Sequence, residues 1–322
     1  MADSTILGLN AATGTYFGAN TADTAYPPLK GTQAPQLEKA FKKVLRDKSI
    51  LSLITNRKYQ GKFKGVGTEI DIPLMPEITI NSAKYGDTMT YQTPQSGVEK
   101  FSINREYTCG LHFMEEDTKF AQFDVTSPII AEAAQKMGEK IEQDFLNDIL
   151  DKCHVKNTGA TAGFESGGYN LGTATEGVAL DKSTIVDFIL SGVNALREQP
   201  GGKTGSYRVV VPTIVGHYLQ GSDLKQANWM GDAQSVLRKD VQLLGNLGGA
   251  DIIVSDKVPK SGDIYPILFV DTEAITFFEE VRISEKLKDK DEWGDFYRTK
   301  VICDWYALWP EKFGVGYLKK AA

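Results

Sequence analysis

The sequence predicts an α+β fold, and three observations lead to that prediction. Some stretches place apolar residues every three or four positions, as an amphipathic helix does. Other stretches alternate apolar and polar residues, as a half-buried strand does. The two kinds do not follow one another in the regular order of a parallel α/β sheet. With 322 residues, of which 41% are hydrophobic and 24% charged, the chain can bury one large core or two modest ones.

The clearest element is a long helix predicted over about residues 127–152. Ser127 and Pro128 suit its start, since serine caps a first turn and proline needs no N–H partner there. Its apolar stripe consists of Ile130, Ala134, Met137, Ile141, Phe145 and Ile149. Its charged face is expected to meet solvent and consists of Glu132, Lys136, Glu139, Lys140, Glu142 and Asp148. Weaker patterns predict helices over residues 36–55 and 181–200 and a short helix in "TIVGHYLQG".

A long β-hairpin is predicted between the first two helices. "TEIDIPLMP" and "EKFSINREYTCGLHF" both alternate with a period of two, and a polar stretch separates them. An isolated two-stranded ribbon is only marginally stable, and its edges carry unpaired backbone groups. The rest of the domain or another molecule must therefore cover it. Further strands are predicted in "SYRVVVP", "ADIIVSDKVP", "YPILFVD", "EAITFFEEV" and "FYRTKVICDWYALWPEKFGVGYL".

Composition and charge exclude several classes of protein. A net charge of −6 argues against a protein whose main task is to grip nucleic acid, because that affinity comes from Lys and Arg. No apolar run approaches the length of a membrane span, and the N-terminus predicts no signal or transit peptide. Three scattered cysteines suit a reducing compartment without disulfides. Residues 1–35 are nearly uncharged and aperiodic, which indicates an arm that orders against something else or a frayed terminus.

Two glycine clusters look like nucleotide sites but are interpreted as turns. Gly202, Lys203 and Thr204 would need a glycine at Arg197, a strand before them and a helix after them. Here a predicted helix precedes and a strand follows, so both the spacing and the order are wrong. "GNLGGAD" at residues 245–251 leads into a strand instead of following one, so it too predicts a tight turn.

No catalytic, cofactor or metal site is predicted. Cys109 and His112 are three apart in a predicted strand, which places them on opposite faces. The pair at residues 153–154 has no second Cys/His pair nearby. The carboxylates Glu115, Glu116, Asp117 and Asp124 are expected to cap the long helix and complement its dipole. The alternating charges at residues 284–298 predict a solvated loop or a salt-bridged surface.

The order of elements resembles a known family. A loose arm and a helix lead to a hairpin, "AKYGDTMTYQTPQSGVEKFSINREYTCGLHF", which runs into "MEEDTKFAQFD" and the long helix. "YRVVVPTIVGHYL", "LGGADIIVSDKVP" and a terminal aromatic pair, "DWYALWPEKFGVGYLK", follow. From about residue 36 to 320 the chain resembles the major capsid proteins of tailed bacteriophages, which have the Hong Kong 97-type fold.

The resemblance implies a division of the chain and a set of partners. Residues 1–35 would be an N-terminal arm, 61–114 an extended hairpin loop, and 181–270 an axial domain. Residues 36–60, 115–180 and 271–322 would form a peripheral domain with the long helix as its spine. The subunit would form pentamers and hexamers of a virion shell around double-stranded DNA, assembled in the host bacterial cytoplasm. A separate scaffolding protein, a portal and decoration proteins would be its partners, with no cofactor and no membrane.

The resemblance also implies that the hairpin loop lies over a neighbouring subunit. Its charged and aromatic residues are the predicted interface: Lys62, Lys64, Lys84, Tyr85, Asp87, Tyr91, Glu99 and Lys100. Some members of the family join neighbours by a Lys–Asn isopeptide bond, but nothing singles out one of these lysines for it. Two alternatives stay open, an encapsulin-type bacterial compartment of the same fold and an α+β enzyme with an unrecognised site.

Overall fold

The structure is a computed structural model. It describes residues 49–58, 69–73, 78–82, 84–86, 88, 91–93, 97–114, 126–200, 205–222, 243–288 and 294–320. Within these ranges it is a mixed α+β fold, as the sequence predicts.

Four helices are described, in chain order α1 to α4. They span Leu51–Ile54, Thr126–Ile149, Ile185–Arg197 and Thr213–Gln220. The long helix α2 is confirmed, and a 3₁₀ turn over Leu150–Lys152 continues it to the predicted end. Of the helix predicted over residues 36–55, the structure describes only the end, which contains α1.

The strands of the described residues are β1 to β11 in chain order. They span Glu69–Pro73, Val98–Ser102, Glu106–Met114, Val178–Leu180, Tyr207–Pro212, Leu243–Leu247, Ala250–Ser255, Ile264–Asp271, Ile275–Lys288, Gly294–Ala307 and Phe313–Lys320. They form a two-stranded sheet β1-β2, a three-stranded sheet β3-β10-β9, and a six-stranded sheet in the order β4-β11-β8-β5-β7-β6.

The predicted hairpin is confirmed in part and corrected in part. Strands β1 and β2 pair antiparallel, with Glu69 opposite Ser102 and Pro73 opposite Val98. The alternating run that continues beyond Ser102 does not stay in this hairpin. It breaks at residues 103–105, and β3 instead becomes an edge strand beside β10, with Glu106 opposite Ile302. We call the pair β1-β2, together with the segment between them, the ribbon.

The six-stranded sheet is buried on both faces. Val210 faces the main core, which contains α2, while Val209 and Val211 face a second core beneath α3 and α4. This two-sided burial explains the uninterrupted apolar run "VVVP", which is typical of a central strand. The helix α3 approaches its sheet closely at Gly192, where an added Cβ would lie 2.3 Å from the Phe269 ring.

The predicted turn at residues 245–251 is confirmed. β6 and β7 are antiparallel, with Leu247 opposite Ala250. Gly248 and Gly249 between them have φ of 60° and 83°, a backbone conformation that glycine adopts readily and that two-residue hairpin turns require. The other cluster, Gly202–Thr204, lies outside the described residues, but α3 precedes it and β5 follows it, as the argument against a phosphate loop requires.

Within the described residues no helix is both long and apolar enough to cross a membrane.

Candidate assembly surfaces

The ribbon carries a concentration of exposed apolar side chains. The exposed fractions are Ile78 69%, Ile80 91%, Tyr85 108%, Tyr91 90% and Val98 59%. Soluble monomers rarely expose apolar groups so closely spaced along one segment, and such groups mark interaction sites. The ribbon is therefore the strongest candidate for a contact surface in the described part of the chain.

The predicted interface residues fall into three groups. Lys84, Tyr85, Tyr91 and Lys100 are exposed on the ribbon. Glu99 is half-buried, because its carboxylate accepts a hydrogen bond from the Tyr306 hydroxyl at 2.6 Å within the same chain. Lys62, Lys64 and Asp87 lie outside the described residues.

A side-chain bridge joins the two limbs of the ribbon beyond its paired strands. The Gln92 amide donates to the carbonyl of Thr79 at 2.8 Å, and the Thr79 N–H donates back to the Gln92 side-chain oxygen at 3.2 Å. Both bonds are solvent-exposed, so they position the limbs more than they stabilise the fold.

The corner between β2 and β3 is held by side chains from distant parts of the chain. The backbone N–H of Asn104 donates to the Asp304 carboxylate at 2.9 Å. The Arg105 guanidinium lies 3.9 Å from the centre of the Trp305 ring and 3.0 Å from the Asp148 carboxylate. These contacts tie the base of the ribbon to β10 and to the end of α2, and they combine a cation–π contact with an ion pair.

Residues 49–58 form a segment that enters the main core. Ile50, Leu51 and Ile54 are buried there. Asn56 then pairs with the start of β9, where its N–H donates to the Ile275 carbonyl at 2.9 Å.

On the predicted charged face of α2, the structure places Glu142 in the interior. Its side chain is 6% exposed, and its carboxylate accepts hydrogen bonds from three groups: Ser255 Oγ at 2.9 Å, Ser49 Oγ at 3.2 Å and the Ile50 N–H at 3.2 Å. The prediction that it faces solvent is therefore wrong. Helical periodicity placed it on the polar face, but the segment at residues 49–50 and the end of β7 cover that face.

The electrostatics at Glu142 follow from this burial. Desolvation raises the pKa of its carboxyl, although the three hydrogen bonds oppose the shift and favour the ionised form. A cleft beside it is lined by Glu139, Asp256 and Lys257, and Lys257 bridges the other two at 3.2 and 3.1 Å. The carboxylates that line this cleft already have partners within the chain, so we interpret the junction of α2 with residues 49–50 and β7 as structural.

The cysteine, histidine and carboxylate residues considered as candidates for catalysis or metal binding do not form a reactive site in the described part of the chain. Cys109 and His112 lie on opposite faces of β3, as predicted, and the His112 ring stacks on Phe296 at 3.9 Å. No group of His, Cys, Asp and Glu among the described residues could hold a metal ion. The carboxylates Glu115, Glu116, Asp117 and Asp124 lie outside the described residues.

Comparison with known proteins gives no match by sequence and clear matches by structure. No protein-family model matches the chain, and no curated protein matches its sequence. A structure from Mycobacterium phage Che8 matches with a TM-score of 0.64 at 18% identity, covering 83% of this chain and 90% of that one. The mature capsid of bacteriophage PhiM1 matches at 0.56 and 12% identity, covering 80% and 83%. The capsid of the cyanophage P-SCSP1u matches at 0.54 and 13% identity, covering 98% and 97%.

These matches extend over most of both chains, so they concern the whole architecture and not one shared motif. At identities this low, the structural matches are evidence of a shared fold only, and function has to be argued from the surfaces. The chain has the fold of phage capsid proteins, in agreement with its resemblance to the Hong Kong 97-type fold.

Proposed function

We propose that this protein is a major capsid protein, which self-assembles into the icosahedral head shell that encloses the double-stranded DNA of a tailed phage. The observation that carries the proposal is the ribbon, whose exposed Ile78, Ile80, Tyr85 and Tyr91 belong to a subunit with a capsid fold. A second copy of the subunit would cover these side chains. Burial of apolar area repeated at every subunit is what holds a closed symmetric assembly together.

The division of labour within the subunit is part of the same proposal. Residues 1–35 act as an arm that clasps a neighbour, 181–270 form the axial domain at the centres of pentamers and hexamers, and α2 is the spine of the peripheral domain. The extended loop is predicted over 61–114, and its two-stranded part is β1-β2. A separate scaffolding protein directs assembly, and portal and decoration proteins complete the virion.

The net charge of −6 suits an enclosing role. Binding to phosphates strengthens with every Lys or Arg contact and is sensitive to salt, so a strongly basic wall would hold the packaged DNA. An acidic subunit surrounds DNA without sequence-specific binding. We propose no enzymatic activity for the chain.

The test of this function is the size of the assembly. The protein is expressed alone and together with its genomic neighbours, then analysed by size-exclusion chromatography and negative-stain microscopy. Closed shells are expected. A subunit that stays monomeric or forms only a small oligomer under both conditions, with a melting temperature that responds to a ligand, would overturn the proposal in favour of an enzyme. Shells that form without a scaffold and copurify with a cargo protein would identify a compartment instead.

A ribbon variant tests which surface drives assembly. Residues 76–96 are replaced by a short Gly-Ser turn, which the pairing of Pro73 with Val98 allows without moving either strand. The variant subunit is expected to stay folded and soluble but to form no closed shells. Val155→Ser is the matched control, because Val155 is 81% exposed outside the ribbon. Normal shells from the shortened ribbon would contradict the assignment.

A further inference from the structure

Strands β9 and β10 carry pairs of adjacent aromatic residues, and each pair is divided between two cores. Phe277 of β9 and Trp305 of β10 lie in the main core with α2. Their neighbours Phe278 and Tyr306 point the opposite way, because side chains alternate along a strand, and they join a third apolar cluster. This end of the β9-β10 pair is therefore a middle layer, with α2 on one side and the ribbon on the other.

The ribbon supplies the other half of that third cluster. Ile72 of β1 and Phe101 of β2 are 1% and 2% exposed, and they pack with Phe278, which is 2% exposed. The rings of Phe101 and Tyr306 are 5.6 Å apart between centroids. The base of the ribbon thus has an apolar face against β9-β10, and its opposite face carries Asp71 and Lys100, which are cross-strand partners of opposite charge.

Polar contacts also hold the apolar face of the ribbon's base in one orientation against β9 and β10. The Tyr306 hydroxyl donates to Glu99, which precedes Phe101 by two residues and shares its face of β2. Burial of the hydroxyl and this bond to Glu99 raise the pKa of Tyr306 to about 12, so it stays a donor at neutral pH. At the corner, Asn104 and Arg105 are held by Asp304, Asp148 and Trp305 as described above.

A ribbon that swung about residues 103–105 would have to break these contacts together. The swing would bring the side chains of Ile72, Phe101 and Phe278 into water, and it would leave Glu99 and Tyr306 without each other. Exposing large apolar side chains to water costs free energy in proportion to the apolar area exposed. We infer that Phe101, Phe278 and Tyr306 are positioning residues, which hold the ribbon at a set angle in the unassembled subunit and so determine where it meets a second copy.

The effect of this angle on the shell rests on the proposed function. The angle itself rests only on the contacts at the base of the ribbon. The exposed tip provides the contact surface, and the buried base provides the direction. Loss of the base should therefore leave the tip residues in place and yet misdirect them. Irregular or open particles are the expected result, whereas loss of the tip should abolish assembly.

The experiment compares hydrogen exchange in subunits kept unassembled with particle shape after assembly. In the wild-type subunit, the amides of β1 and β2 that are paired with each other should be protected from exchange. Phe101→Ala should raise exchange in β1 and β2 about a hundredfold, since removal of a buried aromatic side chain loosens the unit that contains it. Exchange in α2 should not change, because the ribbon's cluster is separate from the main core.

Two further variants separate positioning from general stability. Phe101→Leu keeps an apolar side chain at the base and should restore both protection and regular shells. Tyr306→Phe removes only the hydroxyl, and it should broaden the distribution of particle diameters with little change in the melting temperature. A tip variant, Tyr85→Ser with Tyr91→Ser, should keep ribbon protection and lose assembly.

The outcomes are distinct for the two claims. Unprotected ribbon amides in the wild-type subunit, or regular shells from Phe101→Ala despite a loosened ribbon, would overturn the inference. Protected ribbon amides in a wild-type protein that never forms shells would uphold the set angle and overturn the proposed function.

Discussion

Glu142 allows a sharp test of how the interior of this subunit is held together. Two substitutions of nearly equal size separate its roles. Glu142→Met keeps the length of the side chain but offers no oxygen, so the buried Ile50 N–H loses its acceptor. Glu142→Gln keeps one oxygen for Ser49 and Ile50, and its amide can donate to Ser255 Oγ.

The expected magnitudes follow from what each substitution leaves unpaired. The Ser49 and Ser255 hydroxyls keep other partners, since they accept from the N–H groups of Leu51 and Lys257. Their own O–H groups nevertheless lose the carboxylate, so the Met variant leaves one backbone N–H and two hydroxyl donors without their acceptor, and we expect a loss of about 2–3 kcal/mol in the free energy of unfolding. The free energy of unfolding of the Gln variant should equal or exceed that of the wild type at neutral pH, because the variant avoids burial of a charge.

The pH dependence has a definite sign. Burial raises the pKa of Glu142, so the folded state binds the proton more tightly than the unfolded state does. The wild type should therefore lose stability as the pH rises from the ordinary glutamate value of about 4.3 through the raised value of the folded state. The advantage of Glu142→Gln over the wild type should grow across that window and then level off.

Urea denaturation at a series of pH values measures the free energy of unfolding of the wild type and both variants. The Met variant serves as the control for loss of the hydrogen bonds, since it too lacks the titrating group. If Glu142→Gln were as unstable as Glu142→Met at neutral pH, the junction would require the ionised carboxylate, and the reasoning from desolvation would be refuted.

Two other predictions concern packing and thiol chemistry. Gly192→Ala should lower the free energy of unfolding by about 1–3 kcal/mol, because its Cβ would overlap the Phe269 ring. Gly110→Ala should be neutral or slightly stabilising, because its Cβ would meet nothing within 4 Å. Chemical denaturation measures both variants, and equal effects would contradict the packing argument. Cys303 is fully buried and burial raises its pKa, so iodoacetamide should leave it unlabelled in the folded subunit at neutral pH and label it only after denaturation. Cys153, whose pKa burial raises to about 11, should react slowly under the same conditions, as peptide mass spectrometry would reveal.

The sequence predicted the elements that depend on local pattern. The long helix α2, the strand "YRVVVP" and the turn at Gly248 and Gly249 follow from periodicity and from glycine's freedom at positive φ, and the structure confirms all three. The order of these elements supported the resemblance to a capsid fold. No motif was required, because the resemblance rests on the order of the elements.

What the sequence did not predict depends on residues that meet only in the folded chain. Glu142 is drawn inward by Ser49 and Ser255, which are far from it in sequence. The alternating run through β2 and β3 departs from its pattern only at Arg105, which occupies an apolar position, and the corner there is set by contacts with Asp148 and β10. One local signal was overlooked. Adjacent aromatic residues such as Phe277-Phe278 indicate a strand with both faces buried, and they could have located the middle layer.

The predicted interface residues of the ribbon show what residue type alone can and cannot predict. Tyr85 and Tyr91 could be proposed from their residue types within a polar segment, and their exposure supports that choice. Glu99 is of the same general type, but it forms an internal bond to Tyr306. Only the fold distinguishes a side chain that faces a neighbour from one that braces the ribbon.

The position of β11 in the six-stranded sheet has a consequence for the newly made chain. β11 lies between β4 and β8, although it is synthesised after both of them. Until β11 emerges, the apolar strand β8 has one open edge, and the short strand β4 lacks the partner it has in the finished sheet. An open apolar edge invites pairing with other chains. The edge of β8 therefore stays open until residues 313–320 have been synthesised, and a nascent chain is most prone to wrong association at that edge until then.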